Sequence, residues 1–195
     1  MGERSPEEVL AGWTAGIASR QMFAVCAAAG GANPGVQPFC DRVAGLFPSP
    51  LDRPEIDVTI NDRPGTLKPS PDGPFAALVF KTISDPYTGR ISMMRVFSGK
   101  MTPDGTAVNP GKEIDEKFSG FFFLQGKEQA PAGAAVAGDI LATAKLKATM
   151  TGDTLAAKGS GIVVPPITFA EPAISFAIEP KTRADEDRIS QASQR

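Results

Sequence analysis

Two runs of apolar, β-branched and aromatic residues dominate the hydropathy pattern: Phe75–Ile83 and Arg90–Ser98, separated by Ser84-Asp85-Pro86-Tyr87-Thr88-Gly89. They predict a β-hairpin. Pro86 pre-sets φ for the turn, the Asp85 carboxylate accepts nearby backbone amides, and Gly89 supplies the positive φ at which the second strand starts. Apolar residues fall at both parities of each strand, so neither face is cleanly solvated. That pattern fits strands curling into a small closed barrel whose outer face is also partly covered. Thr106–Val108, Phe118–Leu124, Val136–Leu146, Thr154–Ala157 and Gly161–Val164 supply further strands, and Thr151-Gly152-Asp153 a tight turn. In the Gly-Asp pairs, glycine gives the turn φ and aspartate ties backbone amides. Phe121, Phe122 and Phe123 are consecutive, and alternating strand faces cannot bury all three in one core, so one or more of them meets a second surface.

Upstream, the period changes. Ser5-Pro6-Glu7-Glu8 is a helix start with Ser5 as cap, Pro6 at the first helical position and Glu8 completing a capping box. Val9, Leu10, Trp13 and Ile17 follow at helical spacing as a core stripe. Met22–Ala27 reads as a short buried strand, and Val36–Phe47 as a second helix stopped by Pro48. A helix, a buried strand and a helix are the closing units of an α/β domain, so the chain is expected to begin inside one.

Pro48–Pro74 carries seven prolines and reads as a semi-rigid connector laid over the barrel, with Ile56–Ile60 as one short strand and Asp62-Arg63-Pro64-Gly65 as a turn. Ala173–Ile178 is a last strand. Thr182 and Asp185 then stand in capping-box spacing at the head of a polar helix running to Arg195.

The mainly-β reading thus divides into residues 1–50, the end of an α/β domain; 51–74, the connector; 75–166, the barrel; and 167–195, a strand-helix remnant.

Composition narrows the chemistry. The chain of 195 residues has 20 glycines and 18 prolines, which suits short strands and turns. Its net charge of −2 and pI near 5.3 leave any RNA contact to a local basic patch. Cys26 and Cys40 read as two small buried thiols in a reducing compartment. No apolar run is long enough to span a membrane and no signal peptide is present, so a soluble, cytoplasmic protein is expected. The absence of histidine removes Ser-His-Asp and Cys-His catalysis and His-based metal sites. Gly99-Lys100, Gly111-Lys112 and Gly126-Lys127 are followed by Met or Glu, so no phosphate-cradling loop exists, and no Asn-Lys-x-Asp motif is found. The carboxylate groups Asp115-Glu116 and Asp185-Glu186-Asp187 lie in polar runs and read as solvated surface.

Phe80-Lys81, Asp85-Pro86, Gly89-Arg90 and Arg95-Val96-Phe97-Ser98-Gly99 resemble the start of domain II of elongation factor G and related translational GTPases. Leu46–Asp52 upstream, then Ala137–Ile140, Thr151–Leu155 and Glu171–Thr182 downstream, match in the same order. The resemblance implies a fragment running from the end of the GTPase domain through the domain II barrel to the start of domain III. It implies a parent that binds GTP and Mg2+, hydrolyses GTP during ribosomal translocation, and contacts small-subunit ribosomal RNA; DNA and membranes are not implied as partners. Lacking the P-loop, this chain is expected to hold no cofactor and to be inactive as a GTPase. Ala28, Ala29 and Gly30 align with the family's last guanine-contacting segment, but Ala28 stands where a serine is usual. A backbone contact to the base and a plain strand-to-helix turn both remain open.

Within the resemblance, Lys81, Arg90, Arg95 and Lys100 are the candidate ribosomal-RNA contacts, against the alternative that they are ordinary solvated charges. Relatives usually carry a basic residue at Phe121 and a longer charged segment over 125–135, which weakens any RNA contact there. Translocase, recycling factor, ribosomal protection protein and other paralogues are not separated. A stand-alone β-barrel binding module is the alternative from another class, and a hydrolase is disfavoured by the missing acid-base residues.

Overall fold

A computed structural model describes residues 5–85, 88–183, 185, 188, 189 and 192. The chain forms two compact units, one ending at Pro54 and the other beginning at Glu55.

The first unit holds α1 (Pro6–Ala18) and α2 (Val36–Leu46). The predicted capping box is present: the Glu8 amide donates to Ser5 Oγ at 3.2 Å and the Ser5 amide to the Glu8 carboxylate at 3.0 Å. Gly35, at φ +76°, turns the chain into α2. The expected buried strand at Met22–Ala27 is not formed: the segment takes no regular secondary structure, with Phe23 82% and Val25 94% exposed. A strand needs a neighbour to take its amides and carbonyls, and no other strand lies in this unit among the described residues. The Val9, Leu10 and Trp13 stripe is likewise exposed rather than core. Trp13, Ile17, Met22, Val25, Arg42 and Leu46 line an open groove of about 400 Å³. Cys26 and Cys40 are free but exposed, which corrects the expectation of buried thiols.

Among the described residues the second unit contains thirteen strands: β1 (Ile56–Ile60), β2 (Arg63–Leu67), β3 (Ala76–Asp85), β4 (Gly89–Ser98), β5 (Lys100–Met101), β6 (Thr106–Asn109), β7 (Ile114–Lys117), β8 (Phe121–Gln125), β9 (Glu128–Ala132), β10 (Ala135–Val136), β11 (Ile140–Ala144), β12 (Thr154–Ala156) and β13 (Ile162–Val163). Eight of them form one antiparallel ladder in the order β7-β6-β12-β3-β4-β11-β8-β9. The predicted hairpin is β3–β4 at its centre, with Gly89 at φ +81° and the Thr88 amide on the Asp85 carboxylate; the expected turn residues Pro86 and Tyr87 lie outside the described residues. The ladder is open: no pairing joins its end strands β7 and β9 among the described residues, so the closed ring of the sequence reading is not what the hydrogen bonds trace. The stretch read as one strand over Val136–Leu146 is broken by Gly138 (φ +101°) and Asp139, whose carboxylate accepts the Val136 amide.

The inner face of the ladder buries Ala77, Val79, Met94, Val96, Leu141 and Leu155 around Phe118, whose ring lies 6.2 Å from Phe75 and 4.8 Å from Phe121. Of the three consecutive phenylalanines, Phe121 alone is buried; Phe122, on the opposite face, is half-buried, and Phe123, which shares the face of Phe121 two residues further along the strand, is exposed. The proline-rich connector is more structured than its composition predicts. Asn61 and Asp62, both at positive φ, make a tight turn between β1 and β2, so Arg63-Pro64-Gly65 belongs to a strand and not to a turn. Pro64 is tolerated because β2 is the edge of the sheet β13-β1-β2. This small sheet sets Val58, Leu67, Ile162 and Val164 against Ala76, Leu78 and Ala156, covering part of the ladder's outer face.

Downstream, Ala173–Ile178 takes no regular secondary structure, with Phe176 85% exposed, so the predicted last strand is not formed here either. The Thr182–Asp185 cap is present, the Asp185 amide donating to Thr182 Oγ1 at 3.3 Å. Most of the helix expected beyond it, with Glu186 and Asp187, lies outside the described residues.

Phe118→Ala should destabilise the second unit by about 3–5 kcal/mol, because it opens a cavity between two aromatic neighbours. Denaturant unfolding followed by far-UV circular dichroism reads this; a loss below about 1 kcal/mol would mean the ring is not central to the core.

Candidate functional site: an anchored loop and its surrounding cations

The four candidate cations do not converge. Lys81 is exposed on β3, Arg90 is the second residue of β4, Arg95 is half-buried further along β4, and Lys100 is exposed on β5 beyond its far end. Arg90 and Ser98 alone are separated by eight residues of strand, roughly 26 Å.

Arg90 is committed within the fold. Its guanidinium donates to the carbonyls of Leu146 and Lys147, both at 2.9 Å, and approaches Met150 Sδ at 3.2 Å. The loop it grips, residues 145–153, is held from several strands at once. Glu116 on β7 accepts the amides of Lys147, Ala148 and Thr149 at 2.8, 2.9 and 3.0 Å, and the Thr149 hydroxyl at 2.8 Å. Lys112 donates to the Ala148 carbonyl and to Asp153, both at 2.7 Å. Asn109 donates to Thr149 Oγ1 and Asp153, and the Met150 amide closes on the same Asp153 carboxylate at 2.8 Å. The Thr151 and Thr82 hydroxyls meet at 3.1 Å, tying the loop to β3.

Glu116 corrects the reading of Asp115-Glu116 as solvated surface. Asp115 is exposed and paired with Lys158 at 2.9 Å, whereas Glu116 is fully buried. Adjacent strand positions face opposite ways, and Glu116 takes the inward one. Burial pushes its carboxyl pKa up, but the amides of Ala148 and Lys147 and the hydroxyl and amide of Thr149 outweigh this, leaving it below its ordinary value. Asp153 follows the same balance: burial raises it, and Lys112, the Met150 amide and Asn109 bring it net down.

Lys145, at φ +64°, and Lys147 project exposed side chains from this fixed backbone. The side chains of Lys81, Arg95 and Lys100 have no hydrogen-bond or ion-pair partner among the described residues. In the first unit Ala28, Ala29 and Gly30 are exposed where the chain enters a turn, and the Ala29 amide donates to the Pro34 carbonyl at 2.9 Å. No group of three or more metal-ligating side chains occurs among the described residues, and no helix there is long and apolar enough to cross a membrane.

A crystal structure from Thermus thermophilus matches with a TM-score of 0.75 at 22% identity, covering 98% of this chain and 27% of that one, which defines the fold. The family model described as elongation factor G domain 2 matches residues 74–158. Elongation factor G of Pseudothermotoga lettingae is 38% identical over 175 residues, covering 89% of this chain and 25% of the relative. Elongation factor G 2 of Syntrophomonas wolfei is 35% identical over 195 residues, covering 99% of this chain and 28% of the relative. Residues 74–158 therefore belong to the domain 2 family of elongation factor G, and the chain around them is similar to that translation factor throughout. It spans about a quarter of the length of these curated relatives.

Glu116→Gln should cost about 3 kcal/mol near neutral pH, since an amide side chain cannot accept from all the donors the carboxylate serves. Because the folded carboxyl pKa is depressed, the stabilisation is present above the unfolded value and is lost as pH falls through the folded one. Unfolding at a series of pH values should therefore show the gap between wild type and variant closing in acid; a gap that stays constant would contradict the assignment.

Proposed function

We infer that this chain is the domain II region of a translation elongation factor, and that its ladder couples the GTP-binding part of the parent protein to small-subunit ribosomal RNA during GTP-dependent translocation. The carrying observation is the elongation factor G domain 2 match over residues 74–158, which coincides with the rigid ladder. In this reading residues 1–50 close the GTP-binding domain, 51–74 connect, 75–166 are domain II and 167–195 open domain III. GTP and Mg2+ belong to the parent, which works in the cytoplasm, and the exposed Ala28–Gly30 turn is its guanine-side segment.

The RNA contact is electrostatic and needs no base reading, so it calls for cations that are accessible and not already engaged. Lys81 and Lys100 meet that requirement among the original candidates, whereas Arg90 serves the loop. Rigid backbone beneath such cations lowers the ordering cost of docking.

In the full-length elongation factor, Lys81→Glu and Lys100→Glu should each weaken small-subunit binding about tenfold and lower the slope of log affinity against log salt by about 0.9. Unchanged affinity across the salt series would remove these lysines from the footprint. Arg90→Glu should instead lower the unfolding midpoint, because it strips two loop carbonyls of their donor.

A further inference from the structure

The small sheet β13-β1-β2 covers only part of the ladder's outer face. Strand register fixes what lies on the rest. Leu141 and Met94 point into the core, so Ile140, Ala142, Met93 and Arg95 point outward. Phe122 stands opposite Ala142 on one side and Met93 on the other, and Ala142 is fully buried. Leu124 shares the outward parity of Phe122, and Ile140 stands opposite Arg95 with 51% of its surface exposed. One row continues from Ile140 through Arg95 to Leu78, which is already covered by the small sheet. The same apolar surface is thus packed at one end and open at the other.

At the centre of the open part stands Arg95, half-buried, its guanidinium without a hydrogen-bond or ion-pair partner among the described residues. The nearest acidic residue along β11, Asp139, holds the Val136 amide at 2.9 Å. A guanidinium set among apolar side chains has a stem that packs and a planar fork that matches a carboxylate.

We propose that this open face, centred on Arg95, Ile140 and Phe122, docks a protein segment that carries a carboxylate among apolar side chains. The apolar neighbours decide for protein over nucleic acid. A phosphate backbone would satisfy the fork but leave Ile140, Leu124 and Phe122 in water, whereas an acidic-apolar segment buries them and strengthens the ion pair by excluding solvent. The site is independent of the small-subunit contact assigned to Lys81 and Lys100, although Lys81 stands at its rim through its pairing with Met93.

The test is selection of peptides from a random-sequence display library on the immobilised 195-residue chain, with affinities of the synthesised peptides read by fluorescence anisotropy and the site by amide chemical-shift mapping. The enriched peptides should carry Asp or Glu flanked by Leu, Ile or Phe, and should shift the amides of residues 93–95, 122–124 and 140–142. Binding should weaken at least tenfold with Arg95→Gln, with Ile140→Asp, and on converting the peptide's acid to its amide. The thermal midpoints of both protein variants confirm that they fold. Peptides without an acidic residue, binding indifferent to Arg95→Gln, or no enrichment over a bare surface would each overturn the proposal. A single-stranded oligoribonucleotide that shifts the same amides and loses affinity with Arg95→Gln would overturn it in favour of RNA. Small-subunit binding by Lys81 and Lys100 can fail or hold without affecting any of these readouts.

Discussion

A carboxylate without water must be surrounded by donors, and this requirement at Glu116 organises one end of the ladder. Desolvating a charge costs several kcal/mol unless hydrogen bonds replace its hydration. Glu116 obtains them from three consecutive amides of residues 147–149 and the Thr149 hydroxyl. The chain can offer those amides only if residues 145–153 bend back over β7, which places Leu146 in the core and turns its carbonyl and that of Lys147 toward Arg90. Lys112, Asn109 and Asp153 fasten the same loop from the β6–β7 side. Each contact depends on the others, because removing the carboxylate leaves a set of inward amides with no acceptor.

The central hairpin, the helix caps and the Gly-Asp turns were legible in the sequence because each rests on local physics. Gly89, Asp139 and Asp153 act on residues within three positions of themselves. Glu116 was not legible. Ile114-Asp115-Glu116-Lys117 is a mostly polar run, and only the return of a loop some thirty residues later makes one of its carboxylates internal. The grip of Arg90 on the loop was not legible for the same reason, since its partners lie more than fifty residues away. The β1–β2 hairpin was obscured by prolines that an edge strand accommodates, although the Asn61-Asp62 pair carried its turn signal. Met22–Ala27 and Ala173–Ile178 show the opposite failure: their apolar patterns were read as strands, but neither pairs with a neighbouring strand, and both are left exposed.

The cations around the ladder sort by what surrounds them. Arg90 is an internal clamp, Lys81 and Lys100 are open charges suited to a phosphate surface, and Arg95 is set in an apolar face suited to protein. A body that presents different chemistry on different faces can hold two neighbours in fixed relation, which is what the proposed coupling role would require.

Native-state amide hydrogen exchange at Lys147, Ala148 and Thr149 tests the central claim most directly. If Glu116 anchors the loop, these three amides should exchange only through global unfolding, with the same opening free energy as the core amides of β3 and β4. Exchange orders of magnitude faster, insensitive to denaturant, would show that the loop opens locally and that the buried carboxylate does not hold it.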